Sequence, residues 1–158
     1  MIFYRITGAL ALLVCGILWA SHLNGKLRDK RRQTAAVDEW LRFMRGQIDC
    51  FSMPISDILA LSGDRLAECG YLSDVIPRDF SAFLESSEIY DGEIREALSE
   101  LGASFGGCYR DEQLRACDRC IERVSSRLRC ISEEMPKKKK LNSTLCVSGA
   151  LAIAILLV

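Results

Sequence analysis

The chain has 158 residues, which is enough for one domain of ordinary size. Its 21 basic residues balance 21 acidic residues, whereas a nucleic-acid-binding domain normally has a basic excess. The composition therefore predicts no nucleic-acid partner.

The N-terminal segment, residues 1–25, predicts a membrane-spanning helix. Residues 6–23 contain no charged side chain, and a helix of that length rises about 27 Å, close to a bilayer core of roughly 30 Å. A cleaved signal peptide is the alternative interpretation. The charges oppose it, because the basic residues that follow the segment, Arg31 and Arg32 among them, reverse the charge order of a signal peptide.

Residues 26–136 predict an all-α helical bundle. Apolar residues recur from Val37 to Ile55 at spacings of three and four, which places them on one face of a helix. Pro54 suits the first turn of the next helix, and Gly70 suits a left-handed C-terminal cap. No long period-two pattern indicates a sheet.

Two further helices are predicted from their N-terminal caps. Ser73 or Asp74 is expected to cap a short helix that has Pro77 in its first turn. Asp91 is expected to cap a helix that has an apolar face.

The last helix of the middle domain contains a heptad pattern, which predicts a continuous apolar seam. Packing against the Val37–Ile55 stripe within one subunit is the favoured interpretation, and an intersubunit coiled coil, hence a homo-oligomer, is the alternative. Pro136 is expected to end or kink this helix. The seam residues are Leu114, Cys117, Ile121, Val124, Leu128, Ile131 and Met135.

Residues 137–158 predict a basic flank and a second membrane-spanning helix, because residues 141–158 are again uncharged. Basic residues stay on the cytoplasmic side of a membrane. The middle domain is therefore expected in the cytosol, with both termini across the membrane. The lysines also predict contact with anionic lipid. The membrane-flanking residues are Arg31, Arg32, Lys137, Lys138, Lys139 and Lys140.

Eight cysteines allow two interpretations. A reducing cytosol predicts free thiols in the middle domain. Cys117 and Cys120 form a C-x-x-C pair, which is typical either of a packed helix face or of a metal or redox site. A four-ligand zinc site would need Cys108 and Cys130 as well. Packing is the favoured interpretation.

We expect no enzyme and no cofactor. The middle domain has no histidine to act as a general base, and the chain has no phosphate-binding glycine motif.

Four stretches resemble the stage III sporulation protein AB family of endospore-forming bacteria. The two terminal apolar segments contain GAL at 8–10 and GALAIAILL at 149–157. Residues 48–59, IDCFSMPISDIL, resemble the helix-to-helix junction of the family, with Pro54 followed by Asp57.

Residues 101–113, LGASFGGCYRDEQ, resemble the family's glycine-rich turn, with matches at Phe105, Gly106, Arg110, Glu112 and Gln113. Tyr109 stands where the family has a small polar residue such as aspartate.

The resemblance implies a soluble domain similar to the cytosolic domain of the type II secretion F protein. It implies a structural platform subunit of the channel complex between mother cell and forespore, in the mother-cell membrane around the forespore. The implied partners are a secretion-type ATPase and the other channel subunits, with Arg110, Glu112 and Gln113 as candidate contacts. A cysteine-based metal-binding or redox-sensing membrane protein is the alternative function.

Overall fold

The computed structural model describes the backbone of residues 2–105 and 109–157, and their side chains except at positions 2–7, 9, 10, 12, 13, 154, 156 and 157. The described chain is helical and contains no strand, only an isolated antiparallel bridge between Tyr71 and Ser87. The predicted all-α class is confirmed. The helices are α1 (Ile2–Phe51), α2 (Ile55–Glu68), α3 (Phe80–Glu85), α4 (Gly92–Ser104) and α5 (Arg110–Leu157).

The chain forms two compact units. The terminal unit combines residues 1–29 with residues 131–158, and the middle unit comprises residues 30–130. The sequence places the corresponding boundaries after residues 25 and 136.

In the terminal unit, α1 and α5 approach closely at Gly16. A Cβ atom at this position would lie 2.9 Å from the Cβ of Ala150 and 3.0 Å from the carbonyl oxygen of Cys146. These distances are too short for an unshifted side chain, so the absence of a side chain at Gly16 permits the contact.

Over the residues that the structure describes, no helix is long and apolar enough to cross a membrane. Parts of the two predicted spans, at positions 6, 7, 9, 10, 12, 13, 154 and 156–158, lie outside the described side chains.

The helix α5 continues through Pro136 to Leu157, so of the two outcomes predicted at this proline, an end or a kink, the end does not occur. A proline removes one backbone hydrogen bond and crowds the preceding turn. The hydrogen bonds of the turns on either side are sufficient to continue the helix, often with a kink.

One hydrophobic core occupies the middle unit, and it contains the α1 stripe from Val37 to Ile48 and the first part of the α5 seam, from Leu114 to Val124. These parts of the stripe and of the seam therefore pack within one chain, as the favoured interpretation predicts. Trp40 lies in this core with 1 % of its surface exposed, and its indole N–H donates to the hydroxyl of Ser62 over 2.8 Å. Its ring packs against Phe80 and Phe83, with centroid distances of 5.9 and 4.8 Å.

The end of α2 and the start of α4 agree with the sequence signals at Gly70 and Asp91. Pro54 is the N-cap of α2, one position before the first turn in which the sequence predicts it. Gly70 follows the C-cap with a φ of +99°, as predicted. Asp91 caps α4 as predicted.

The predicted cap of α3 is wrong, because Asp79 rather than Ser73 or Asp74 caps this helix. The Asp79 carboxylate accepts from the backbone N–H of Ala82 over 2.8 Å. The Ser73 hydroxyl instead accepts from the backbone N–H of Val75 over 3.2 Å, which forms a local turn.

Candidate interaction site

The candidate site lies in the middle unit, where the end of α1 meets the beginnings of α2 and α5. The helix α1 ends at Phe51, and Ser52 adopts a φ of +50°. Pro54 follows, and its ring has no N–H group to continue the α1 hydrogen-bond pattern. The chain therefore turns sharply here and leaves the last carbonyl groups of α1 available as acceptors.

Arg110, at the start of α5, uses these acceptors. Its guanidinium donates to the carbonyl oxygen of Ile48 over 3.3 Å, to the carbonyl oxygen of Asp49, and to the Asp49 carboxylate over 2.9 Å. A cation at a helix C-terminus is favourable because the carbonyl groups there carry partial negative charge. Arg110 was predicted as a partner contact, and the structure also gives it an internal role as a cap for α1.

A groove of about 810 Å³ opens beside this junction. Its floor is apolar, and its rim includes the cationic side chains of Arg78 and Arg110. Such a surface suits a polypeptide segment that offers an apolar side chain and a carboxylate. The apolar side chains of the groove are Ile48, Met53, Pro54, Ile55, Phe80, Leu84, Ala103 and Phe105.

The three predicted partner residues are not equivalent in the structure. Arg110 and Gln113 line the groove. Glu112 is exposed on the first turn of α5 and does not line it. Two large apolar side chains in this region are also exposed, namely Phe51 at 68 % and Tyr109 at 85 %.

The carboxylate of Asp79, which also lines the groove, is already bound within its own helix. Hydrogen bonds from the Ala82 backbone and the Ser81 hydroxyl lower the pKa of Asp79 below its ordinary value. It is therefore a fixed anion that caps α3.

Asp91 links three helices. The sequence does not indicate this link. Its side chain is 3 % exposed and lies 2.9 Å from Lys30 Nζ of α1 and 2.9 Å from Arg127 Nε of α5. It also accepts from the backbone N–H of Glu93 in α4 over 3.0 Å. The sequence signal at this position was only that of a helix cap.

Gln33 is a second buried polar residue that the sequence analysis missed. Its side-chain amide donates to the carbonyl oxygens of Cys69 over 3.2 Å and Glu88 over 2.5 Å. Its amide oxygen accepts from the backbone N–H of Tyr90 over 2.9 Å. One side chain thereby holds two distant loop backbones, and no local pattern marks it.

The C-x-x-C cysteines are packed in the core. Burial raises the pKa of Cys117 to about 11 and that of Cys120 to about 12, so both thiols are protonated at neutral pH. A protonated thiol is a poor nucleophile and metal ligand. The thiol of Cys120 donates to the carbonyl oxygen of Ala97 at an Sγ–O distance of 3.6 Å.

Among the described residues, no group of three or more histidine, cysteine or carboxylate side chains is arranged to hold a metal ion. Of the alternative zinc set, Cys108 lies outside the described residues. Cys130 is half-buried on α5 and interacts with a neighbouring group.

The basic residues predicted to flank the membrane are largely exposed. Arg31 and Arg32 are exposed in the middle unit, and in the terminal unit Lys139 alone of the four lysines is half-buried. Lys138 forms an ion pair of 2.6 Å with Glu134 one turn earlier. This exposed pair contributes little to stability.

A family model described as stage III sporulation protein AB (spore_III_AB) matches residues 72–158, which is more than half of the chain. The matched range includes the glycine-rich turn at 101–113 and begins after the junction at 48–59. No curated protein and no solved structure matches the chain.

Proposed function

The chain belongs to the stage III sporulation protein AB family, and on this premise we propose that it is a structural platform subunit of the mother cell–forespore channel complex. Membership implies a role in sporulation. The single observation that carries the proposal is the family match over residues 72–158.

The middle unit supports a platform role rather than an enzymatic one. Its buried polar groups are engaged in holding helices together, as Asp91 and Gln33 illustrate. Its core thiols are protonated at neutral pH. A helical unit with an open apolar groove is suited to holding another protein in place.

The proposal includes membrane anchoring at both ends of the chain. It is supported by the uncharged runs at 6–23 and 141–158 and by the basic residues on their inner flanks. In this arrangement the anchors lie in the mother-cell membrane around the forespore, and the middle unit lies in the mother-cell cytosol.

The proposed partner of the middle unit is the secretion-type ATPase, and the proposed contact surface is the groove with Arg78 and Gln113 on its rim. The apolar floor would supply the contact area, and the Arg78 guanidinium would favour a carboxylate-bearing segment. Contacts with other channel subunits, with membrane lipid and with a second copy of the chain are part of the same proposal.

The test of the sporulation role is deletion of the gene in its host, followed by microscopy of sporulating cells. We expect arrest after engulfment begins, with small forespores, and recovery on re-expression of the full chain. Normal spore formation in the deletion strain would contradict the proposal.

The test of the partner surface is co-purification with the ATPase from sporulating cells after crosslinking. We expect Arg78→Ala to reduce the recovered ATPase severalfold, because Arg78 lies on the groove rim. Arg119→Ala is the matched control, since Arg119 is an exposed arginine of α5 that does not line the groove. Equal recovery with both variants would exclude the groove as the contact surface.

A further inference from the structure

A cleft of about 350 Å³ lies between α1 and α5 within the terminal unit. One of its ends is apolar, with Ile17 and Ala20 from α1 and Val147 from α5. This end adjoins the close approach of Gly16 to Cys146, so the two helices are in direct contact beside it.

The other end of the cleft is cationic. It contains Arg28, roughly 16 Å along α1 from Ile17, and Lys139, roughly 12 Å along α5 from Val147. Among the described residues, neither cation forms an ion pair with a carboxylate. Two cations that face one cleft without an internal counter-ion favour an external anion.

Polar side chains lie between the two ends. The hydroxyls of Ser21 and Ser143 line the cleft beside Asn24. The Asn24 Oδ1 atom is buried and accepts no hydrogen bond from any described residue. An acceptor in this position is unfavourable unless a bound group donates to it.

We infer that this cleft binds one anionic glycerophospholipid that has hydroxyl groups in its headgroup, of the phosphatidylglycerol type. The phosphate lies between Arg28 and Lys139, and a headgroup hydroxyl donates to Asn24 Oδ1 once the side-chain amide turns toward the cleft. The serine hydroxyls donate to the ester oxygens. The start of one acyl chain lies against the apolar end of the cleft.

The order of the groups along the cleft carries this assignment. A free phosphate ion would use the two cations but would leave the apolar end uncovered. A lipid contacts the cationic, polar and apolar surfaces in the order in which they lie along the cleft. Basic pockets between helices on the cytoplasmic side of a membrane bind anionic lipid headgroups. The inference rests on the proposed membrane anchoring and names the ligand of that segment.

The experiment uses the full chain purified in detergent and stripped of lipid. Native mass spectrometry measures the fraction of the chain that retains one lipid as dioleoyl phosphatidylglycerol or dioleoyl phosphatidylcholine is added. We expect one equivalent of phosphatidylglycerol to bind in preference to phosphatidylcholine. Millimolar inorganic phosphate is expected not to displace it.

Substitutions of the two cleft cations test whether the lipid binds in this cleft. Arg28→Gln combined with Lys139→Gln is expected to weaken phosphatidylglycerol binding about thirtyfold, because each cation near an anionic lipid contributes about 1 kcal/mol. Lys26→Gln combined with Lys140→Gln removes the same charge from neighbouring positions outside the cleft and should change binding less than about threefold.

Asn24→Asp preserves the side-chain shape and adds a negative charge beside the phosphate, so it should also weaken binding. It serves as a second variant if the double glutamine variant does not fold.

Three results would overturn the inference: equal affinity for the two lipids, an equal effect of the control pair, or displacement of the lipid by inorganic phosphate. Displacement would identify a phosphate-ion site instead. Resistance of the chain to carbonate extraction from membranes is measured separately. A chain that is extracted would contradict the proposed anchoring, whereas a retained chain without lipid preference would contradict only this inference.

Discussion

Asp91→Asn tests whether the link between α1, α4 and α5 stabilises the middle unit. The asparagine side chain can still accept from the backbone N–H of Glu93 and cap α4. It removes the negative charge that lies 2.9 Å from both Lys30 and Arg127. The substitution therefore isolates the two ion pairs from the helix cap.

The expected loss of stability depends on how well water solvates Lys30 and Arg127. Removing one member of a buried ion pair typically costs about 3 to 5 kcal/mol. Lys30 and Arg127 are 31 % and 29 % exposed, however, so water can solvate their unpaired charges. We expect a decrease of about 2 kcal/mol in the free energy of unfolding. Asp91→Ala should cost about 1 kcal/mol more, because the cap is also lost.

The effect should depend on pH. Burial by itself would raise the pKa of Asp91, but hydrogen bonds and charge from Lys30 and Arg127 outweigh burial and lower it. The ion pairs therefore stabilise the native state fully above the unfolded-state pKa of about 3.9. That stabilisation is lost as the pH falls through the lower native-state pKa. The free energies of unfolding of the unsubstituted chain and of Asp91→Asn should therefore become similar in acid.

The assay is urea unfolding of the full chain in detergent, followed by the fluorescence of the buried Trp40 in a Trp19→Phe background. Asp64→Asn is the control, because Asp64 is exposed and should change stability by less than about 0.5 kcal/mol. The reasoning is refuted if Asp91→Asn matches this control at pH 7, or if its effect is unchanged at pH 3.

Three other perturbations follow from the middle unit. Gly70→Ala should destabilise it by about 2 kcal/mol in the same unfolding assay, because its φ is +99° and a Cβ would collide with the side chain of Gln33; an unchanged midpoint would contradict this. Cys117→Ala with Cys120→Ala should cost about 1 to 2 kcal/mol of packing and leave the zinc content, measured by elemental analysis, unchanged. Iodoacetamide at pH 8 should modify the exposed Cys50 well before these two, as followed by peptide mass spectrometry; equal rates would mean that the core thiols are accessible.

Local signals were sufficient for much of the helical structure. The cap at Asp91, the turn at Gly70 and the heptad pattern of α5 each depend on residues within about one or two helical turns. The cap of α3 was misassigned because several serine and aspartate residues precede it, and only the backbone path selects Asp79. Pro136 does not end α5, because one missing hydrogen bond does not require a helix to end.

The sequence by itself determined the all-α class, the main amphipathic faces and the family resemblance, because periodicity and short motifs are properties of neighbouring residues. Tertiary structure alone decided that Arg110 caps α1, that Asp91 joins three helices and that Gln33 holds two loops. Each of these contacts joins residues at least 36 positions apart. Their formation depends on how packing of the core aligns the helices, and no local pattern encodes that alignment.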